Sequence, residues 1–230
     1  MPSSLASCAR CKQRLHSIPM ARKGYHHGDL RRALVEAALE LAHEGGMEQV
    51  SVREAARRAG VSPAAPFRHF PDRAALLTAV AEEAMRRFRA EIDRALRRAP
   101  DEPLERLEAI GAAYLRWALR NPTHFEIISA RRFIRFQSSA LLRRDNEEIQ
   151  AEMRRLLGEA RRRGELRALD ARTAEIAGRA LVYGLARMHL DGHFPSWGVA
   201  RGAEHRTMLE VLRLFTSGLA KSRYTHTCST

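Results

Sequence analysis

The stretch Ser51-Val-Arg-Glu-Ala-Ala-Arg-Arg-Ala-Gly-Val61, continuing as Ser62-Pro-Ala-Ala-Pro-Phe-Arg-His-Phe70, decides the fold. Ser51 and Glu54 have capping-box spacing: the serine can accept from the amide three residues on, and the glutamate can reach back. Val52, Ala55, Ala56 and Ala59 then recur as the apolar face of a short helix. Gly60 permits a sharp turn, and Val61 can plug the space behind it. Ser62-Pro63 predicts another helix, with serine at the cap and proline at the first helical position. Two short helices across a glycine turn make a helix-turn-helix, which presents its second helix to the major groove of DNA. Pro66 cannot donate to the Ser62 carbonyl. That loss falls in the first turn, where most amides lack intrahelical partners, so the expectation is a distorted turn in an intact helix.

Outward from this unit the pattern is helical almost throughout. Leu30, Leu34, Ala37 and Leu41 mark a helix closed by Gly45-Gly46. Beyond Pro71-Asp72, the apolar positions Leu77, Val80, Ala84, Phe88, Ile92 and Ala95 predict one long helix to about Arg98. Asp101-Glu-Pro103 and Asn121-Pro122 open two more, the first bearing Leu107, Ile110, Tyr114 and Trp117. The pattern weakens around Arg135–Ser139, which reads as a loop. Ile149, Met153, Leu156 and Ala160 mark a seventh helix, and Asp170 caps an eighth. His193–Gly198 reads as a loop, and Met208, Leu212, Phe215 and Leu219 mark the last helix. The fold class is therefore all-α, with nine helices.

The segments Tyr25-His-His-Gly-Asp-Leu30, Ser51–Val61, Ser62–Phe70 and Pro71-Asp-Arg-Ala-Ala-Leu-Leu77 resemble the amino-terminal domain of the TetR family of transcriptional regulators. The likeness is dense over residues 22–77, and the helix order extends it to about residue 222. The Tyr-His-His-Gly entry and the Ala-Ala-Pro-Phe-Arg-His-Phe segment are similar to a subgroup named for a Trp-His-Gly motif in its carboxy-terminal domain. Here that place reads Val182-Tyr183-Gly184, and only the glycine survives. The resemblance implies a tail at 1–21, a DNA-binding head at 22–73, an effector-binding and dimerisation body at 74–224, and a short tail at 225–230. It also implies a cytoplasmic homodimer on a palindromic operator, most naturally a repressor released by a small-molecule effector.

Carried over by position, Arg53, with Ser51 beside it, reaches DNA from the second helix, while Pro63, Ala64 and Ala65 face the bases. Phe67 and His69 approach the backbone, Arg73 and Lys23 meet phosphates, and Arg68 is a further donor. Phe67 replaces the family's usual tyrosine and so offers no hydroxyl to a phosphate. Ala64 and Ala65 offer only apolar contact, most naturally to a thymine methyl, so hydrogen-bond readout falls to Arg53, Arg68 or water, and DNA shape carries much of the specificity. Phe88, Tyr114, Trp117, Phe125, Met153 and Tyr183 are expected to line the effector cavity, although each also fits an ordinary core. Ala177, Leu181, Gly184, Met188, Leu212, Phe215 and Leu219 are expected at the dimer interface, with packing inside one subunit as the alternative.

Composition sets the outer bounds. The chain has 230 residues with 45% hydrophobic and 29% charged content, as in ordinary globular proteins. It has no apolar run long enough to span a membrane. Its formal net charge is +13, which suits a polyanion partner, either nucleic acid or an anionic membrane surface, or arginine-rich solvated faces under codon bias. Residues 22–73 hold nine Arg and Lys against seven Asp and Glu, so most of the excess lies in the body, at residues such as Arg131, Arg132, Arg135, Arg143 and Arg144. Cys8 and Cys11 with His16 make half a zinc site, which Cys228 and His226 would have to complete; no metal and no cofactor is expected. Met20 offers an alternative translation start. There is no phosphate loop, no paired-histidine zinc helix and no Gly-x-Ser-x-Gly elbow. Histidines 124, 189, 193 and 205 read as satisfied or surface residues. The rival to a DNA-binding regulator is a ligand carrier or enzyme with an inert head.

Overall fold

The computed structural model describes residues 27–221, and side chains from residue 30 onward. Lys23, His26, Cys8, Cys11, His16, His226 and Cys228 lie outside the described residues. The described chain forms eight α-helices: α1 His27–Gly45, α2 Val52–Arg58, α3 Arg73–Arg98, α4 Pro103–Arg120, α5 Pro122–Ser129, α6 Ala140–Arg162, α7 Ala171–Leu190 and α8 Glu204–Leu219. Among the described residues there is no strand, only an isolated antiparallel pairing of Leu166 with Ala220.

The missing ninth helix is the one predicted after Gly60. Residues Ala65–Arg68 form a 3-10 helix instead. The cause is Pro66, which has no amide to bond the carbonyl four residues back. The chain tightens to i→i−3 bonds: Ala65 N donates to Ser62 O (3.1 Å) and His69 N to Pro66 O (2.9 Å). Proline thus removes the α-helix here, a larger effect than one distorted turn. The capping box is also only half made. Ser51 accepts from Glu54 N (3.1 Å), but the Glu54 carboxylate turns to Arg57, whose Nε lies 3.0 Å away.

Among the other terminal signals, Gly60 and Asp170 act as their sequences predict. Gly60 sits at φ +67°, and in that turn its amide bonds to Arg57 O while the Val61 amide bonds to Ala56 O. Asp72 caps α3 by accepting from Ala75 N (2.9 Å), and Asp170 caps α7 by accepting from Thr173 N (2.8 Å). The segment between α5 and α6 contains two short 3-10 turns, Arg131–Phe133 and Phe136–Ser138.

Packing follows the apolar faces. Leu34, Ala38, Val52, Ala55, Ala56 and Phe70 are buried in the head, and α3 continues the same core into the body through Leu77, Val80, Ala84 and Ile92. Helix α4 is the hub of the body, lying against α3, α6, α7 and α8. Its Gly111 lets α8 come close: a Cβ there would stand 2.8 Å from Leu212 Cδ1. His124 is neither at the surface nor satisfied. It is buried in α5, and its Nε2 has no partner among the described residues. Burial, and next the charge of Arg87, pull this imidazole below its usual range.

Phe125 is fully buried and packs between the rings of Tyr114 and Tyr183, at 6.1 and 5.9 Å between centroids. Phe125→Ala is expected to cost about 3–5 kcal/mol through lost burial and a residual cavity. Urea unfolding followed by circular dichroism measures this, and a loss under 1 kcal/mol would mean the site collapses around the gap.

Candidate functional site

Two surfaces stand out, one on the head and one inside the body. On the head, Arg53 projects from the first turn of α2 and shares a shallow groove with Ser51, Glu54, Arg57, Val61 and Pro63. Pro63, Ala64, Phe67 and Arg68 are exposed, Ala65 is half-buried, and Phe67 leaves 43% of its surface open to solvent. The other basic residues of α2 are engaged: Arg57 with Glu54 (2.5 Å), Arg58 with Glu44 (2.6 Å) and Glu40 (3.6 Å). The hydrogen bond from Arg57 chiefly holds the Glu54 carboxyl below its usual range, and the bond from Arg58 does the same for Glu44. Both arginines adjacent in sequence thus make ion pairs. Arg53 and Arg68 make no ion pair among the described residues, which leaves them as the available cations of this surface.

Two positions carried over from the family sit differently. Arg73 turns inward: it donates to Met47 O (2.6 Å) and its guanidinium lies over Phe133, 5.1 Å from the ring centre. It clamps head to body and does not stand out toward a phosphate. His69 is half-buried and lines a seam with Arg31, Arg32, Arg87 and His124 between head and body.

In the body, α3, α4, α6, α7 and α8 line a cavity of about 260 Å³ that opens to solvent at Arg131, Ile176, Arg179 and Tyr183. Phe88, Tyr114, Trp117, Met153 and Tyr183 line it, as the sequence predicted, and Phe125 does not, because it is sealed behind Tyr114 and Tyr183. The aromatic wall is continuous: Phe88 meets Tyr114 edge-on at 5.3 Å and Trp117 at 5.0 Å. Sequence reasoning missed the polar lining, which includes Arg131, Asn146, Gln150, Glu175, Arg179 and Thr216. Arg131 comes from the connecting segment after α5, where no helical period foretells which way a side chain points. Arg179 follows Gly178, whose missing side chain lets Phe215 approach to 3.1 Å of a notional Cβ. The Tyr114 phenol is pushed above its ordinary value, first by burial and against the opposing charge of Arg179.

On the outer side of α7 and α8 the expected interface residues divide. Ala177 is exposed, and Leu181, Gly184, Met188 and Phe215 are half-buried. Leu212 and Leu219 are buried within the subunit. Leu212 is turned toward Gly111 and the cavity because α8 packs on α4, so these two serve the core. Ile176 and Leu214, which the sequence reading passed over, are 59% and 74% exposed. Among the described residues no cluster of three or more His, Cys, Asp or Glu could hold a metal ion. No described helix is long and apolar enough to cross a membrane.

A helix-turn-helix head on an all-helical body with a cavity is the architecture of a one-component regulator. Residues 34–80 match the model described as bacterial regulatory proteins, tetR family, and residues 107–212 match a tetracyclin repressor-like carboxy-terminal domain. The chain belongs to the tetR family. It is 33% identical over 110 residues to the transcriptional repressor KstR of Mycolicibacterium smegmatis, a match covering 48% of this chain and 53% of that repressor. The matched stretch therefore spans about half the length of that relative. Among solved structures, a protein of unknown function from Rhodococcus sp. RHA1 aligns with a TM-score of 0.72 at 28% identity, covering 86% of this chain and 100% of that one. A regulatory protein in the tetR family, also from Rhodococcus RHA1, aligns with a TM-score of 0.66 at 19% identity, covering 84% and 98%, a likeness of fold alone.

Proposed function

We propose that this protein is a DNA-binding transcriptional repressor that acts as a homodimer in the cytoplasm and releases a palindromic operator when an effector fills its cavity. The observation that carries this is the pair of cations, Arg53 and Arg68, that make no ion pair among the described residues, beside the exposed Pro63, Ala64 and Phe67 on a helix-turn-helix head. Residues through about 73 act as the reading head and 74–224 as the sensing and dimerising body. Ser51 contributes by capping α2 and so fixing Arg53, and Ala65 follows the exposed Pro63 and Ala64. Placement in the Trp-His-Gly subgroup rests on the Tyr25-His-His-Gly28 entry and the Ala64-Ala-Pro-Phe-Arg-His-Phe70 segment, and of the naming motif only Gly184 survives.

The segment Arg131–Ser139 is the natural transmission element. Arg131 lines the cavity. Four residues on, Arg135 N donates to Thr78 Oγ1 (2.8 Å), and its guanidinium pairs with Asp72 at the cap of α3. Ser139 Oγ donates to Glu82 (2.8 Å). Arg73, the next residue in α3, holds the head through Met47. A shift at the cavity thus has a short mechanical route to the head, and an effector moves the equilibrium only by its preference for one arrangement.

For the dimer, α7 and α8 expose Ile176, Ala177 and Leu214, with Gly184 and Gly218 leaving open space at the backbone. Such a face suits a second copy of the same two helices.

Selection of genomic fragments on the purified protein, followed by footprinting, tests the central reading; it is expected to yield a palindromic site. Arg53→Ala is expected to weaken that site by about 1–3 kcal/mol relative to non-specific DNA. Failure to retain any fragment at low salt would overturn the proposal. Leu214→Glu is expected to shift the protein from dimer to monomer in sedimentation, and an unchanged dimer would move the interface elsewhere. With an effector in hand, Arg135→Ala is expected to preserve operator binding and erase most of the coupling, typically about 1–3 kcal/mol. Full coupling in that variant would assign transmission to another route.

A further inference from the structure

The cavity carries its charge unevenly. Its lining acid is compensated: Glu175 meets Arg154 at 3.3 Å. Its lining cations are not. Arg131 and Arg179 have no carboxylate within ion-pair distance among the described residues, whereas Arg86, Arg87, Arg116, Arg154 and Arg163 each meet a glutamate. Both residues are exposed, and their guanidiniums lie against aromatic rings. Arg179 lies 4.7 Å from the centre of the Tyr114 ring and 5.8 Å from that of Tyr183. Arg131 lies 3.2 Å from the centre of Phe136. Cation–π contact positions a guanidinium without neutralising it.

These two cations also feel one another. Burial of part of the group, and then the charge of Arg179, push Arg131 below its ordinary value. Two cations in a largely apolar lining, with no carboxylate within ion-pair distance of either among the described residues and Glu175 already paired with Arg154, favour an incoming anion. The rest of the lining is largely apolar and aromatic, including Met85, Phe88, Trp117, Ile149 and Met153. Trp117 adds a buried indole N–H with no acceptor among the described residues.

We propose that the cavity takes a compact apolar acid, with its carboxylate between Arg131 and Arg179 and its body against Phe88, Trp117 and Met153. This rests on reading the cavity as the effector site and names the ligand's chemistry. The volume of about 260 Å³ falls just under the usual range of roughly 300–1,000 Å³ for ligand pockets, which favours a small bicyclic or medium-chain acid over a bulky one. Guanidinium is suited to this task because it stays charged and can donate two parallel bonds to a carboxylate. Arg131 would then serve both as ligand contact and as the first residue of the segment that reaches α3.

The test uses the full-length protein and matched probes: octanoate, octanol and octylamine, and 2-naphthoate, 2-naphthalenemethanol and 2-naphthylmethylamine. Affinities are read by isothermal titration calorimetry at fixed pH and salt. The acids are expected to bind about tenfold or more tighter than the alcohols of the same shape, with the amines weakest. The double variant Arg131→Gln, Arg179→Gln is expected to bind the alcohols as before and to lose the preference for acids. If alcohols bind the wild-type protein as tightly as acids, the anion assignment falls and the effector cavity stands. If no member of either series binds, the effector cavity falls and this inference with it. Should the double variant fail to fold, the ranking of acid, alcohol and amine on the wild-type protein decides, together with the loss of acid affinity at high salt that an exposed ion pair requires.

Discussion

Asp72 joins the start of α3 to the segment after α5. One carboxylate caps α3 through the Ala75 amide and pairs with Arg135 from the segment after α5. The next residue, Arg73, reaches back to the Met47 carbonyl. Two consecutive side chains therefore tie together the start of the long helix, the cavity-side connector and the back of the head. Since α3 also carries the buried core from head to body without a break, the head cannot pivot freely. It moves with α3 or against this cluster of contacts, the kind of two-arrangement element on which coupling between distant sites depends.

The cavity has a related logic. Its aromatic wall is made by α3 and α4, the helices that also build the core, so filling it bears directly on the packing of α3. Its polar groups come from α6, α7, α8 and the connector. The apolar wall gives affinity and little discrimination, whereas the guanidiniums distinguish acid from alcohol. The arginines named for the excess of the body differ in their surroundings, and Arg143 is simply exposed. Arg135 and Arg144 are paired with Asp72 and Asp145, Arg132 stacks on Phe133, and Arg131 lies at the cavity.

Local signals were legible where a single backbone bond decides the outcome. Ser51, Gly60 and Asp170 act as their positions foretell because caps and turns depend on neighbours within four residues. The same locality explains the largest misreading. Pro66 was visible, but whether one lost amide distorts or abolishes an α-helix depends on how many turns remain to propagate it, and here almost none remain. The cavity's aromatic residues were legible from helical spacing. Phe125 was not separable from them, because lining a cavity and sealing its back wall give the same apolar period.

What the sequence by itself determined is the class of the fold, the helix order, the helix-turn-helix and its family, since these rest on short-range chemistry and on periodicity. What only the tertiary structure decided is direction. Leu212 faces the core because Gly111 admits α8 against α4, whereas Leu214, two residues on, is left outside. Arg73 faces inward because Met47 offers a carbonyl and Phe133 a ring. Arg131 and Arg179 meet at one cavity although 48 positions apart in the chain. An arginine's long stem reaches several surroundings from one backbone position, so its partner is fixed only when distant elements are packed in place.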